Sequence, residues 1–230
     1  MRISNLTYRI NKSTILDNIS IKLQLQGINW VFGPNGAGKS SLLKVVCGLG
    51  GPYQGSINWE ISLPKLPRVG FIIDRGSYFG HLTIKENLSL YKNHYEIDQH
   101  RINEFLMKWD LQSCYHRRIN SLSMGQCARF KMVMAMIHDP QLLALDEPDN
   151  NLDPTGVATY NHLFNEWRIN NNLTVIASHR PGNMVAWDHM TVLHNGTLLY
   201  SGTVELFLSE PAIPANGYMH QLRSLIKKGI

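Results

Sequence analysis

The 230-residue chain reads as an α/β domain with a parallel-sheet core, an N-terminal antiparallel β-segment and a helical insertion at about residues 75–137. Three observations predict that class. Two short runs, Leu142-Leu-Ala-Leu145 and Leu173-Thr-Val-Ile-Ala177, are almost continuously apolar, which suits parallel strands covered on both faces. A glycine-rich turn, GPNGAGKS at residues 33–40, stands between a strand-like run and a helix-like run. Residues 84–137 carry apolar side chains at helical spacing.

Taken in order, the first 25 residues predict antiparallel strands. Ile3, Leu6 and Tyr8 sit on one strand, Lys12-Ser13 turns, and Leu16 to Leu25 alternates apolar with polar. Residues 27–32 (GINWVF) read as a buried strand entering the glycine-rich turn, and residues 40–48 as the helix leaving it. Gly50-Gly-Pro-Tyr-Gln-Gly55 breaks the chain before a strand at 56–60, and Val69-Gly-Phe-Ile-Ile73 is another short strand. Within the insertion, Ile84, Leu88 and Tyr91, then Phe105, Leu106 and Trp109, mark helix faces. Met190 to Tyr200 predicts a hairpin turning at His194-Asn-Gly196. The whole chain, 1–230, is expected to form a single domain carrying the inserted helical subdomain.

Composition excludes several classes. The longest apolar runs fall well short of a membrane span, and the N-terminus MRISNLTYRI alternates like a strand and lacks the pattern of a signal peptide. Cys47, Cys114 and Cys127 are widely spaced, match no metal pattern and read as reduced thiols. A net charge of +5 is mild, and without a dense basic run interleaved with aromatics no nucleic-acid partner is expected.

The turn at 33–40 fits G-x-x-x-x-G-K-[ST] at every fixed position. Gly33, Gly36 and Gly38 let successive N–H groups line one concavity. Lys39 can reach terminal phosphates as a point charge, and the Ser40 hydroxyl is placed to ligand Mg²⁺. Pro34, Asn35, Ala37 and Ser41 complete the loop and the first turn of the helix, whose dipole favours an anion. A nucleoside triphosphate is the ligand these residues predict. The acidic pair Asp146-Glu147 closes a buried strand, where Asp146 can hold the Mg²⁺ shell and Glu147 can polarise the attacking water.

Ser121-Leu-Ser-Met-Gly-Gln126 lies twenty residues before Asp146 and resembles the LSGGQ signature of ATP-binding cassette (ABC) ATPases. Asn150-Asn-Leu-Asp153 looks like that family's D-loop and Thr174-Val-Ile-Ala-Ser-His179 like its switch-histidine strand. Leu193-His-Asn-Gly196 and Ser201-Gly-Thr-Val-Glu-Leu206 resemble the hairpin and helix start that follow. The resemblance runs through nearly the whole chain in the family's order. It implies ATP and Mg²⁺ as cofactors and a head-to-tail pairing with a second cassette, identical or different. In that pairing Ser123, Met124, Gly125 and Gln126 would cover the partner's terminal phosphate, Asp153 would meet the opposite phosphate loop, and His179 would hydrogen-bond the γ-phosphate and Glu147.

Three departures stand out. Met124 replaces a signature glycine, Cys127 stands where Arg or Lys is common, and Asp74 falls where the family's Q-loop glutamine, a Mg²⁺ ligand, is expected. An ionised aspartate only accepts hydrogen bonds, so Asp74 predicts altered turnover. The adenine-stacking position falls on Ile10, with Tyr8 as the aromatic alternative. The resemblance implies an ATPase subunit, peripheral on the cytoplasmic face of the plasma membrane, that drives a separate membrane-spanning permease docked near residues 75–90, with Tyr78 and Phe79 as candidate contacts. Compactness resembles the cassettes of small bacterial exporters. Two other functions fit the same motifs: a soluble ABC-type ATPase outside transport, and a nucleotide sensor with low turnover.

Overall fold

The computed structural model describes residues 1–25, 27–59, 67–72, 78–148, 150, 152–169, 172–179, 188–209 and 217–229. The chain forms two compact units, Met1–Leu66 with Trp167–Ile230, and Pro67–Glu166.

In the first unit, strands β1 (Arg2–Ile10), β2 (Ser13–Lys22) and β4 (Tyr53–Asn58) make an antiparallel sheet ordered β2-β1-β4. Strand β3 (Ile28–Phe32) lies parallel to β7 (Leu173–Ser178) on one side and to β8 (His189–His194) on the other. Strand β9 (Thr197–Thr203) returns antiparallel to β8. Every residue of β3 and β7 is buried, as continuous apolar strands predict. The polar groups of β3 are satisfied internally, whereas the buried Thr174 hydroxyl of β7 has no hydrogen-bond partner among the described residues. The Asn29 side-chain amide bridges the Gln24 backbone and the Thr174 carbonyl, and the Asp188 carboxylate accepts the Ile28 N–H at 3.2 Å and the Trp30 indole N–H at 3.0 Å. Helix α1 (Lys39–Val46) follows β3, and α6 (Val204–Ser209) and α7 (Gly217–Gly229) follow β9.

The second unit pairs β5 (Val69–Ile72) in parallel with β6 (Leu142–Asp146) and adds α2 (Ile84–Tyr95), α3 (Gln99–Lys108), α4 (Met124–Met136) and α5 (Pro154–Ile169). The helices start at side-chain caps. Thr83 and Glu86 form a reciprocal capping box on α2, Asp98 caps α3, and Ser123 with Gln126 forms a second box on α4. The far half of α4 is buried on nearly every side, from Phe130 through Met136 with only Lys131 less covered, so it works as a core helix rather than an amphipathic one.

Two local expectations change. The strand placed at 56–60 runs instead over 53–58, because Tyr53 pairs with Tyr8 and draws the breaker-rich segment into the sheet. Tyr8 and Ile10 do not share a face. The β1–β2 register shifts between Tyr8 and Arg9, and this irregularity leaves Tyr8 buried and Ile10 47% exposed.

Candidate functional site

In the first unit the phosphate loop joins β3 to α1. Gly36 (φ 80°) and Gly38 (φ 100°) adopt the left-handed backbone that the sequence predicted. Gly33 does not, and its role is room: a Cβ there would lie 2.5 Å from the Leu193 carbonyl oxygen. Gly38 caps α1 with no side-chain hydrogen bond, so the N–H groups of Lys39, Ser40 and Ser41 have no intrahelical acceptor and open toward the loop's concavity. Lys39 is only 6% exposed. Its ammonium donates to the Gly33 carbonyl at 2.9 Å and the Pro34 carbonyl at 3.2 Å. A cation therefore sits inside the anion cradle, held by two neutral acceptors that a phosphate oxygen can replace with a stronger, charge-assisted partner.

The loop is braced by an element that the motif does not reveal. At the β8–β9 turn, Asn195 (φ 47°) and Gly196 (φ 76°) give a type I′ hairpin. The Gly196 N–H donates to the Ala37 carbonyl at 3.2 Å, while the Gly196 carbonyl accepts the Asp17 N–H at 2.8 Å. The hairpin tip thus ties the phosphate loop to β2. His179 follows β7 and is exposed. Since Phe32 and Ser178 are register partners, His179 and Gly33 leave neighbouring parallel strands at one level. Tyr8 has no ring face open for a base: it is buried, with its hydroxyl accepting the Gly51 N–H at 3.4 Å. Ile10 remains exposed there, and Tyr53, opposite Tyr8 in register and 42% exposed, is an aromatic that the sequence reading passed over.

In the second unit Asp146 ends β6 half-buried and Glu147 follows at φ 46°. A left-handed backbone at a non-glycine residue is strained by about 1–3 kcal/mol and is tolerated where a side chain must be aimed. The turn closes with Asn150, whose backbone N–H donates to the Glu147 carbonyl at 3.1 Å and whose amide donates to the Glu147 carboxylate. Asp74 lies outside the described residues. Tyr78 is half-buried against the subdomain, with its hydroxyl 3.4 Å from the Cys127 sulfur and its ring edge-on to Phe130. The hydrogen bond with that sulfur, and then burial, push the Tyr78 hydroxyl up to about 12. Phe79 is exposed, with its ring edge-on to His81.

At the start of α4 the Ser123 hydroxyl accepts the Gln126 N–H at 3.2 Å, and the Gln126 side chain accepts the Ser123 N–H at 3.1 Å. That leaves the Met124 and Gly125 N–H groups without intrahelical acceptors, beside a hydroxyl that still has its proton to donate. Met124 projects outward, 76% exposed. Asp153 accepts from Arg129 of α4 through both carboxylate oxygens and from the Gly156 N–H at 2.8 Å, capping the first turn of α5. Arg129 was missed in the sequence. Its Asp110 and Asp153 partners lie 19 and 24 residues away, beyond any local pattern, although Ser-x-x-Gln at 123–126 was a legible capping signature.

Comparison with known proteins agrees with this arrangement. A family profile described as ABC transporter matches residues 16–150. The lantibiotic transport ATP-binding protein of Streptococcus pyogenes is 30% identical over 182 residues, covering 78% of this chain and 80% of the relative. The zinc import ATP-binding protein of Buchnera aphidicola subsp. Schizaphis graminum is 32% identical over 205 residues, covering 87% of this chain and 83% of the relative. A solved structure described as the ATP-binding subunit of an ABC transporter superposes with a TM-score of 0.80 at 20% identity, over 97% of this chain and 98% of the other.

Proposed function

The chain belongs to the ABC transporter family, whose ATP-binding domains are ATPases, and from that premise we propose that it hydrolyses MgATP in a head-to-tail pair and drives a separate membrane-spanning chain. The observation that carries the reading is the uncapped start of α1 above a buried lysine. Three N–H groups and one ammonium face one cradle, an arrangement with no structural need for so much positive potential.

Each residue then has a task. Lys39 exchanges its carbonyl partners for the terminal phosphates. The hydroxyl of Ser40 and the carboxylate of Asp146 offer hard oxygen donors, which fit Mg²⁺, and Asp74 would join them. Mg²⁺ held by these donors would supply charge neutralisation to the phosphates. Glu147, aimed by its backbone and the Asn150 amide, accepts the proton of the attacking water. His179 donates to the terminal phosphate. Ser123, Met124 and Gly125 of a second cassette close the phosphate from the other side, and opening after hydrolysis works on the membrane partner. Among the described residues no helix is long and apolar enough to cross a membrane; the transmembrane partner is proposed from the family. Phe79 is the exposed aromatic that would meet it.

We propose export as the direction, from the short run between the phosphate loop and the signature-like motif at 121–126; the relatives divide between lantibiotic transport and zinc import. ATP-driven accumulation in inside-out vesicles carrying both chains is the expected result, and ATP-driven depletion of preloaded vesicles would reverse the assignment.

Glu147→Gln tests the chemistry. The amide keeps the shape and the Asn150 contact but cannot take a proton. Hydrolysis should fall by about 10²- to 10⁴-fold while ATP binding persists and a dimer accumulates with ATP in light scattering. Phosphate release at the parental rate would remove Glu147 from the catalytic step.

A further inference from the structure

Asp153 is the residue whose surroundings fit the family expectation least. In the resemblance its carboxylate reaches across to another cassette's phosphate loop. Here both oxygens are engaged within the chain. Arg129 donates to Oδ1 at 2.6 Å and also to Oδ2, and Oδ1 takes the Gly156 N–H as well. The guanidinium is 6% exposed. It donates from its other terminal nitrogen to the Asp110 carboxylate at 3.1 Å and the Trp109 carbonyl at 3.4 Å, while Nε is buried without an acceptor. The Arg129 guanidinium holds the Asp153 carboxyl below the usual carboxylate range, helped by the Gly156 N–H. Gly156 is part of the clamp: a Cβ there would lie 3.1 Å from Asp153 Oδ1 and 3.4 Å from Arg129 Nε.

Arg129 stands six residues after Ser123, about 9 Å along the same helix. It therefore links the anion-facing start of α4 to the segment between β6 and α5. We propose that Arg129 is a positioning residue for ATP hydrolysis, locking the Asp153 carboxylate inside its own chain so that the α4 start and the Asp153 segment form one rigid edge. This rests on the head-to-tail reading above and departs from it in one respect: Asp153 acts through its own helix, not on the opposite phosphate loop. Charge supports this. A carboxylate neutralised by a buried arginine can approach a triphosphate with less repulsion than an open one.

A double-mutant cycle on phosphate release tests the link, using Arg129→Lys, Asp153→Asn and both together. Lysine keeps the charge but cannot hold Asp153 and Asp110 from two separate nitrogens of one planar group; asparagine keeps an acceptor for Gly156. Each single change should lower kcat by about tenfold, and the double should match either single within about twofold. The Kd for ATP should hold, since the phosphate loop is untouched. Gly156→Ala, which crowds the pair without removing it, should reproduce the kcat loss and serves where Arg129→Lys fails to fold. Losses that multiply, or an Asp153→Asn defect with normal Arg129→Lys and Gly156→Ala, would overturn the proposal and return Asp153 to the opposite loop. The Glu147→Gln chain separates the two readings: without an ATP-dependent dimer there, the head-to-tail reading fails and takes this one with it; with the dimer present, multiplying losses defeat this one alone.

Discussion

The starts of α1 and α4 both present backbone N–H groups for an anion, yet they are built by opposite means. The start of α1 is a backbone device. Gly38 in a left-handed conformation turns the chain into the helix with no side-chain cap, and a buried lysine supplies the charge. The start of α4 is a side-chain device. A serine and a glutamine cap each other, Met124 points to solvent, and an arginine further along the helix ties it to a distant carboxylate. A site that binds ligand within its own chain gains from a cradle fixed before the ligand arrives. A surface meant to close on a second molecule gains from partners that can be tuned without disturbing that cradle.

Of the two helix starts, the larger effect should come from Lys39→Ala. Its ammonium is buried among carbonyls, and a charge-assisted bond to phosphate is worth about 1.5–3 kcal/mol. MgATP affinity, measured by calorimetry, should fall by about tenfold to a hundredfold. Unchanged affinity would mean that the potential at α1 comes from the backbone alone, and the contrast between the helix starts would narrow to one of capping.

Ser123→Ala should act on the other side of the contrast. Loss of the cap costs α4 about 1 kcal/mol, and loss of the hydroxyl donor should slow phosphate release by about fivefold to tenfold. ATP binding by the separate chain should stay as it was. If binding weakens in step with turnover, the α4 start does not work on a second molecule.

This division also explains what could be read from the sequence. The phosphate loop was legible to the residue, because its conformation depends on a contiguous run in which Gly36, Gly38 and Lys39 each have one physical task. The β6 and β7 strands and the His194-Asn-Gly196 hairpin were legible for the same reason, each being a local pattern. The clamp on Asp153 was not, since Arg129 and Asp110 meet it only through the tertiary fold. Tyr8 was misplaced because a shift in strand register is invisible to a rule of alternation. The hairpin's bond to Ala37 was hidden too, since 159 residues of chain separate its ends.

The smallest expected effect lies at the far ends of the two helices and concerns pH. His138 follows α4 directly and is buried, with Nε2 3.1 Å from the Val69 carbonyl oxygen and the ring stacked on Tyr95 at 4.5 Å. Burial lowers its pKa, and the charges of Arg68 and Arg101 add to that, against the bonds to Val69 and Met134 that favour the cation. Its counterpart at the end of α1 is Cys47, which burial pushes up to about 12, so the thiol keeps its proton throughout the working range. A histidine with a depressed folded pKa takes up its proton more readily in the unfolded chain. Stability is therefore complete above about pH 6.5 and declines as pH falls through the unfolded value, by at most about 1.4 kcal/mol per pH unit. His189 on β8, also lowered by burial, adds a slope of its own in the first unit. Urea titrations between pH 7.5 and 5 should show the decline, and His138→Asn should make it shallower while leaving the His189 share. Hydrogen exchange should show α4 losing protection in acid relative to α1, and His138→Asn should erase that difference. Equal losses in both helices, with or without His138, would mean that the side chains at α4 confer no separate sensitivity there.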